Sequence, residues 1–154
     1  MDADRIAIHP HDVETHMSDW VTAKILCETE MFPTTSMGAV SIFFDPGQGH
    51  FRHNHPDAEQ IIFVIAGEAE MMIEHEEGYP RYETIRAGSL VHIPKGAYHA
   101  TLNKGWEPVR ILAVYHPPGP EGGMRHSGEF STLPPGGIPA REPPIPERRP
   151  DRGF

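Results

Sequence analysis

Residues 47–67 read GQGHFRHNHPDAEQIIFVIAG, and residues 88–103 read GSLVHIPKGAYHATLN. In the first stretch, His53 and His55 are separated by one residue, and side chains at positions i and i+2 of a strand project to the same face. This spacing brings two imidazoles within reach of one metal ion. The second stretch contributes a third imidazole, His99. Together the two stretches indicate a β-structured metal site.

The chain around these stretches is a series of short β-like runs bounded by Gly and Pro. The first run is Val21 to Phe32, and the last clear one is Val109 to His116. Gln60 to Ala66 is continuous and rich in β-branched residues, which is the pattern of a strand buried on both sides. Many short strands at regular spacing predict a sandwich or a barrel. We therefore predict an all-β domain over residues 21–116, preceded by a polar lead-in segment at residues 1–20.

Residues 117–154 differ in kind, because ten of the 17 prolines lie there. Proline excludes regular helix and central strand, so we predict a proline-rich, extended C-terminal tail. Two alternatives stay open, a disordered tail and an arm that packs across its own barrel or a neighbour's. We expect the last ten or so residues to be mobile. The apolar residues that could anchor such an arm are Phe130, Leu133, Ile138 and Ile145.

Composition limits the partners and the location. The formal charge is −9, and an acidic body repels phosphate, which argues against nucleic acid and against an anionic membrane as partners. Cys27 is the only cysteine, so an intramolecular disulfide is impossible and a reducing compartment is indicated. The first residues show no signal-peptide pattern, and the longest apolar run, Ile61 to Ala66, is too short to span a bilayer. We expect a soluble, cytoplasmic protein.

The two stretches resemble the two sequence motifs of the cupin superfamily. The first resembles G-x5-H-x-H-x(3,4)-E-x6-G, except that Gln60 stands where the motif has glutamate. The second matches G-x5-P-x-G-x2-H-x3-N at every position. The resemblance covers roughly residues 38–116. It implies a double-stranded β-helix (jelly-roll) cupin barrel, often dimeric, that binds one divalent transition metal ion. The ligand positions carried over from the motifs are His53, His55, Gln60 and His99.

The substitution in the first motif leaves two candidates for the fourth ligand, Gln60 and Glu59. The two side chains point to opposite faces of a strand, so only one of them can serve. Glu59 keeps the shorter gap after His55, whereas Gln60 keeps the spacing to the turn at Gly67. We favour Gln60 because that turn is a rigid reference. The metal would then have only neutral ligands, a fuller +2 charge and greater Lewis acidity.

The resemblance also limits the chemistry. Four protein ligands leave coordination positions open, and open sites are typical of catalytic metals. We predict an enzyme of the isomerase, lyase or hydrolase type that uses nickel, zinc, manganese, iron or copper on a small oxygenated acid or sugar derivative. The alternatives are a metal-dependent dioxygenase and a non-catalytic, small-molecule-binding or sensory cupin. Candidates for a general base, by adjacency to the motifs alone, are Glu59, His50, Tyr98 and Lys95.

The final expectation concerns assembly. Unpaired strands at the edge of a sheet invite pairing with another chain. The run Val21 to Phe32 precedes the motif strands and carries several large apolar residues. We therefore predict a homodimer formed chiefly through these first strands.

Overall fold

The structure is a computed structural model that describes residues 7–139. Its strands are β1 Thr15–Met17, β2 Thr22–Cys27, β3 Gly38–Phe44, β4 Gly49–His53, β5 Glu59–Ala66, β6 Glu68–Glu74, β7 Arg81–Arg86, β8 Leu90–Ile93, β9 Tyr98–Leu102, β10 Val109–His116 and β11 Ser131–Leu133. Two single turns of 3-10 helix span Pro10–Asp12 and Pro120–Gly122, and a one-turn helix, α1, spans Gly123–His126. No helix in the described part is long and apolar enough to cross a membrane.

The strands form two antiparallel sheets. The seven-stranded sheet has the order β11-β1-β2-β3-β10-β5-β8, and the four-stranded sheet has the order β4-β9-β6-β7. Side chains alternate along each strand, so that every second residue faces the space between the sheets. In β10, for example, Val109, Ile111 and Ala113 are at most 2% exposed. The core lies between the two sheets, which is the jelly-roll arrangement predicted from the sequence.

Strand β5 departs from its predicted burial. Gln60, Ile62 and Val64 face the core, but Ile61, Phe63 and Ile65 face outward and are 38%, 41% and 40% exposed. The prediction of a strand buried on both sides is therefore wrong for the single chain. The inward-facing apolar residues of this run are buried in the core, but the described chain does not cover the outward-facing ones.

The predicted edge at Val21 to Phe32 is also wrong. Strand β2 ends at Cys27, because the chain turns at Glu28, whose carbonyl accepts the backbone N–H of Phe32 at 2.8 Å. Strand β2 is moreover flanked by β3 on one side and β1 on the other. Strand β1 comes from the lead-in segment and pairs in turn with β11 from the tail, with Thr15 opposite Leu133. The sheet thus extends beyond residues 21–116 at both ends, and three-residue strands carry too little pattern to be predicted.

The described part of the tail, residues 117–139, packs against the chain's own barrel. Met124 and Phe130 contact the buried core. The guanidinium of Arg125 pairs with Glu14 at 3.0 Å and with the buried Glu28. Ile138 is 78% exposed, and Ile145 and the last ten residues lie outside the described residues. Anchoring by Phe130 and by strand β11 makes this segment an arm, which is called the C-terminal arm below.

Backbone geometry explains why glycine occupies four positions of the two motifs. Gly47, Gly67, Gly88 and Gly96 have φ of 83°, 81°, 90° and 76°, a left-handed conformation that residues with a Cβ atom avoid. At Gly67 a Cβ atom would also lie 2.5 Å from the carbonyl oxygen of Pro108. The turn after β5 is therefore fixed, which makes it a sound reference for the register of Gln60.

Candidate metal centre

Three histidines meet at one place inside the barrel. His53 ends β4 and lies directly opposite His99 on β9, because these two strands are paired in that register. His55 follows two residues later, in the loop between β4 and β5. One ring nitrogen from each of the three lies within 4.8 Å of the other two. The spacing in the first motif and the strand pairing together bring the three imidazoles into a geometry that a single ion can bridge.

Backbone groups orient these imidazoles. The Nδ1 atom of His53 lies 2.7 Å from the carbonyl oxygen of Phe51, and that of His99 lies 2.9 Å from the carbonyl oxygen of Ala97. A carbonyl only accepts hydrogen bonds, so each Nδ1 carries the proton and each Nε2 keeps a free lone pair. That tautomer suits a metal ligand.

The His55 loop is tied to the second motif. The backbone N–H of Gly96 donates to the carbonyl of His55 at 3.0 Å, and the side-chain amide of Asn54 donates to the carbonyl of Gly96 at 3.2 Å. The turn that contains Gly96 thus fixes the height of His55 relative to His99. This contact gives a physical reason for the pairing of the two motifs in one sequence.

Gln60 and Glu59 lie on opposite faces of β5. Gln60 faces the cavity and is 4% exposed, and its side chain comes from the sheet opposite His53 and His99. Glu59 faces outward, where its Oε2 lies 3.1 Å from Nε2 of His92. Strand alternation therefore brings Gln60 to the histidines and keeps Glu59 away from them.

The polar atoms of this cluster fit a metal ion. Of the five buried side-chain N and O atoms without a hydrogen-bond partner in residues 7–139, three belong to it: His55 Nε2, Gln60 Oε1 and His99 Nε2. Burying such an atom without a partner costs about 1–3 kcal/mol, so three of them lining one cavity point to a common partner. Two imidazole nitrogens and an amide oxygen, beside the free Nε2 of His53, are donors that a divalent transition metal accepts.

Electrostatics keep the cluster neutral. Burial, followed by the effect of the neighbouring imidazoles, lowers the pKa of His99 to about 3 and that of His55 to about 4. Burial also lowers the pKa of His53. A neutral imidazole is the form that binds metal, so the site needs no deprotonation at neutral pH.

The histidines line a cavity of about 240 Å³. Much of its wall is apolar, from barrel residues such as Phe44, Ile62 and Ile111 and from Met124 and Phe130 of the C-terminal arm. The wall also includes Trp20, Val21, Ile42, His50, Thr101, Tyr115, Ser127 and Glu129.

Stacked rings mark one side of the cavity. The ring of Trp20 stacks on His50, which stacks on His53, with centroids 4.4 and 3.4 Å apart. The indole N–H of Trp20 donates to Oε1 of Glu129 at 2.5 Å. The arm is thereby linked to the ring stack that ends on a candidate ligand.

Only one of the four candidates for a general base lines the cavity. His50 lines the cavity, whereas Glu59, Tyr98 and Lys95 do not. The ring of Tyr98 instead lies 3.7 Å below the guanidinium of Arg52. Sequence reasoning missed Trp20 and the arm residues of the cavity wall, because they lie outside both motifs and follow no spacing that points to a site.

Comparisons with known proteins agree with the fold. Residues 41–115 match a family model described as Cupin domain. Glucose-6-phosphate isomerase of Thermococcus kodakarensis is 35% identical over 86 residues, which cover 54% of this chain and 45% of that protein. A solved oxalate decarboxylase of Lactobacillus farciminis, in a formate complex, superimposes with a TM-score of 0.66 at 23% identity over 82% of this chain and 35% of that one. The Bacillus subtilis oxalate decarboxylase, studied for its Mn(II) centres, gives 0.62 at 19% identity over 77% and 29%. The chain spans less than half the length of each.

Proposed function

Because this chain belongs to the cupin superfamily, we propose that it is a metal-dependent enzyme that binds one divalent transition metal ion and acts on a small oxygenated acid. The proposed ligands are His53, His55, His99 and Gln60. The observation that carries the proposal is the convergence of three buried polar atoms that have no partner in the described chain. The reaction would be an isomerisation, a lyase reaction or a hydrolysis.

The ligand set suggests which metals fit. Imidazole suits zinc, copper, iron and nickel, and the Irving–Williams order favours nickel, copper or zinc in the purified protein. Manganese is a further candidate, because the related Bacillus subtilis enzyme has Mn(II) centres. When bound, the ion would polarise a substrate carbonyl or stabilise negative charge that develops on oxygen.

The protein's own residues would supply orientation and a dry environment. The carbonyls of Phe51 and Ala97 hold two imidazoles in the ligand tautomer. Apolar side chains around the cluster would limit the access of water, which would strengthen electrostatic interactions inside the cavity. His50, stacked against His53, is the residue we propose to contact the substrate beside the ligands.

The direct test is elemental analysis of protein purified without chelator. We expect one equivalent of metal per chain, lost in His53→Ala, His55→Ala and His99→Ala. Gln60→Ala should weaken binding, and Glu59→Ala is the matched control, because Glu59 occupies the opposite face of the same strand. Full occupancy in any one of the histidine variants would remove that residue from the ligand set.

Turnover assays separate the reaction classes. Oxygen uptake dependent on substrate would identify a dioxygenase instead. Tight binding of small acids without any turnover would identify a binding or sensory cupin. Conversion of substrate without oxygen uptake is the result that the proposed Lewis-acid chemistry requires.

We further propose that two copies associate through the outer face of the seven-stranded sheet. Ile61, Phe63 and Ile65 of β5 project from it, and Leu90 on β8, which pairs opposite Phe63, is 63% exposed. An outward face of an antiparallel sheet is ordinarily polar, and an apolar one is typical of an interface. In a two-fold dimer the same surface patch of each copy contacts that of the other. The apolar patch on β5 and β8 could therefore form both halves of the interface. The cytoplasmic location stays a prediction.

A further inference from the structure

We infer that the cavity selects a substrate in which a chelating oxygen head carries a compact apolar body, and that Met124 and Phe130 of the C-terminal arm provide this selectivity. The inference rests on the proposed function, because the metal would anchor the head. It adds the chemical class of the rest of the molecule and the residues that recognise it.

The wall of the cavity is chemically suited to an apolar substrate body. Apart from the histidines and Gln60, the cavity is lined largely by apolar side chains, including Val21, Ile42, Phe44 and Ile111. None of the lining residues within the described part is lysine or arginine. A phosphate or a second carboxylate would therefore meet apolar surface there, and burying such a charge unpaired is costly.

Three polar side chains of the wall, Thr101, Ser127 and Glu129, already make contacts within the protein. The hydroxyl of Thr101 donates to Sδ of Met71 at 3.2 Å. The hydroxyl of Ser127 accepts the backbone N–H of Glu129 at 3.2 Å, and the Glu129 carboxylate accepts the Trp20 indole. Burial, and next the nearby Glu121, raises the pKa of Tyr115, so its phenol stays neutral. A substrate body rich in hydroxyls would compete with the internal contacts of Thr101, Ser127 and Glu129 and would otherwise face apolar side chains.

The size of the cavity also limits the substrate. The cavity has a volume of about 240 Å³. Drug-sized ligands occupy pockets of about 300–1,000 Å³, so the occupant is smaller than these. A short acid with a few carbon atoms beyond the chelating head fits this volume.

The arm is built to hold its two apolar residues in place. On one side of Phe130, Arg125 forms ion pairs to Glu14 and Glu28, and on the other side β11 pairs with β1. The ring of Phe130 packs edge-on against Trp20 with centroids 5.8 Å apart. The arm lies beyond residues 41–115, the part that matches the Cupin domain model. Selectivity would thus come from a segment outside the shared domain.

The test titrates metal-loaded, full-length protein with pyruvate, 2-oxobutanoate and 2-oxopentanoate by calorimetry, with hydroxypyruvate as the polar counterpart of 2-oxobutanoate. We expect the affinity to rise about fourfold for each added methylene. Hydroxypyruvate should bind at least about fivefold more weakly than 2-oxobutanoate, because its hydroxyl would be buried against a largely apolar wall. Metal-free protein should bind none of the four acids.

Different results of this titration would overturn the proposed function and the inference about selectivity. If the metal is present but no 2-oxo acid binds, the proposed function fails, and the inference fails with it. If all four acids bind with equal affinity, or if hydroxypyruvate binds more tightly than 2-oxobutanoate, the apolar wall does not select and only the inference is overturned.

Variants locate the selectivity. In Phe130→Ala and in Met124→Gln, the roughly sixteenfold preference for 2-oxopentanoate over pyruvate should fall to about fourfold or less, while the metal content stays at one equivalent. Tyr79→Ala, which truncates an aromatic ring that is 70% exposed in the turn after β6, should keep the preference. If Phe130→Ala does not fold, Met124→Gln alone decides, and an unchanged preference in that variant would overturn the role of the arm.

Discussion

Gln60→Glu restores the glutamate of the family motif and separates the metal-free from the metal-bound protein. Gln60 is 4% exposed, so the introduced carboxyl enters a site of low dielectric and its pKa rises. At pH 7 the cost is at most that of keeping it protonated, about 1.36 × (7.0 − 4.3), or roughly 3.7 kcal/mol. This is an upper limit, because a nearby imidazole can take up the proton. At about 2–4 °C per kcal/mol, the metal-free variant should melt up to about 15 °C below the wild type.

Metal should reverse the effect. The carboxylate then faces a divalent cation, so adding Zn²⁺ should raise the melting temperature more in Gln60→Glu than in the wild type. For a carboxyl with a raised pKa the folded state binds more protons, so stability falls as pH rises and the metal-free difference should shrink to about 1 kcal/mol at pH 5. Glu59→Gln, an exposed change one residue away, should stay within about 0.5 kcal/mol of the wild type. A metal-free Gln60→Glu protein that melts like the wild type at pH 7 and gains nothing extra from metal would refute the assignment of Gln60.

Three further predictions concern stability and assembly. Hydrogen bonds from Arg52 hold the pKa of Glu74 at about 2, below its ordinary 4.5, so the carboxylate stabilises the fold above that ordinary value and loses its effect as pH falls toward 2. Glu74→Gln should therefore melt lower than the wild type at pH 7 and converge with it near pH 2, and a constant gap would contradict the ion-pair explanation. Asn103→Ala removes three hydrogen bonds to backbone groups, so denaturant titration should show a free energy of unfolding lower by about 1.5–4.5 kcal/mol, whereas a loss below about 0.5 kcal/mol would show these bonds to be dispensable. Phe63→Glu should convert a dimer into a 17.2 kDa species in sedimentation, and a wild-type protein that already sediments at 17.2 kDa would exclude the dimer.

The sequence was most informative where local spacing alone determines geometry. The spacing predicted that His53 and His55 share one face of a strand, but β4 ends at His53 and His55 lies in the loop that follows. The three imidazoles still meet, because the register between β4 and β9 brings His99 opposite His53. Counting back from the left-handed turn at Gly67 identified Gln60 as the inward residue, because strand alternation is strict from a fixed end. Such inferences depend only on one strand and one turn, so they can be made without knowing the rest of the fold.

Predictions that required knowledge of distant partners were less successful. Val21 to Phe32 was expected to be an exposed edge because nothing in the sequence marks Thr15–Met17 and Ser131–Leu133 as strands. Each is only three residues long, and their pairing joins positions more than one hundred residues apart. This pairing covers the start of β2, at Thr22 and Ala23. The exposed apolar residues that could contact a partner lie on β5 and β8 instead.

The C-terminal arm shows why a site can be predicted without its cavity. The ligands belong to motifs whose spacing is set by the strands that carry them. The wall depends instead on Met124 and Phe130, in a segment whose many prolines predicted no regular structure at all. That segment is held by the ion pairs of Arg125, by three residues of strand pairing and by the packing of Met124 and Phe130 on the core, none of which has a sequence period. The proposed metal site and the proposed selectivity thus rest on different sequence features. A variant that disturbs the arm should therefore alter which acid binds before it alters whether metal binds.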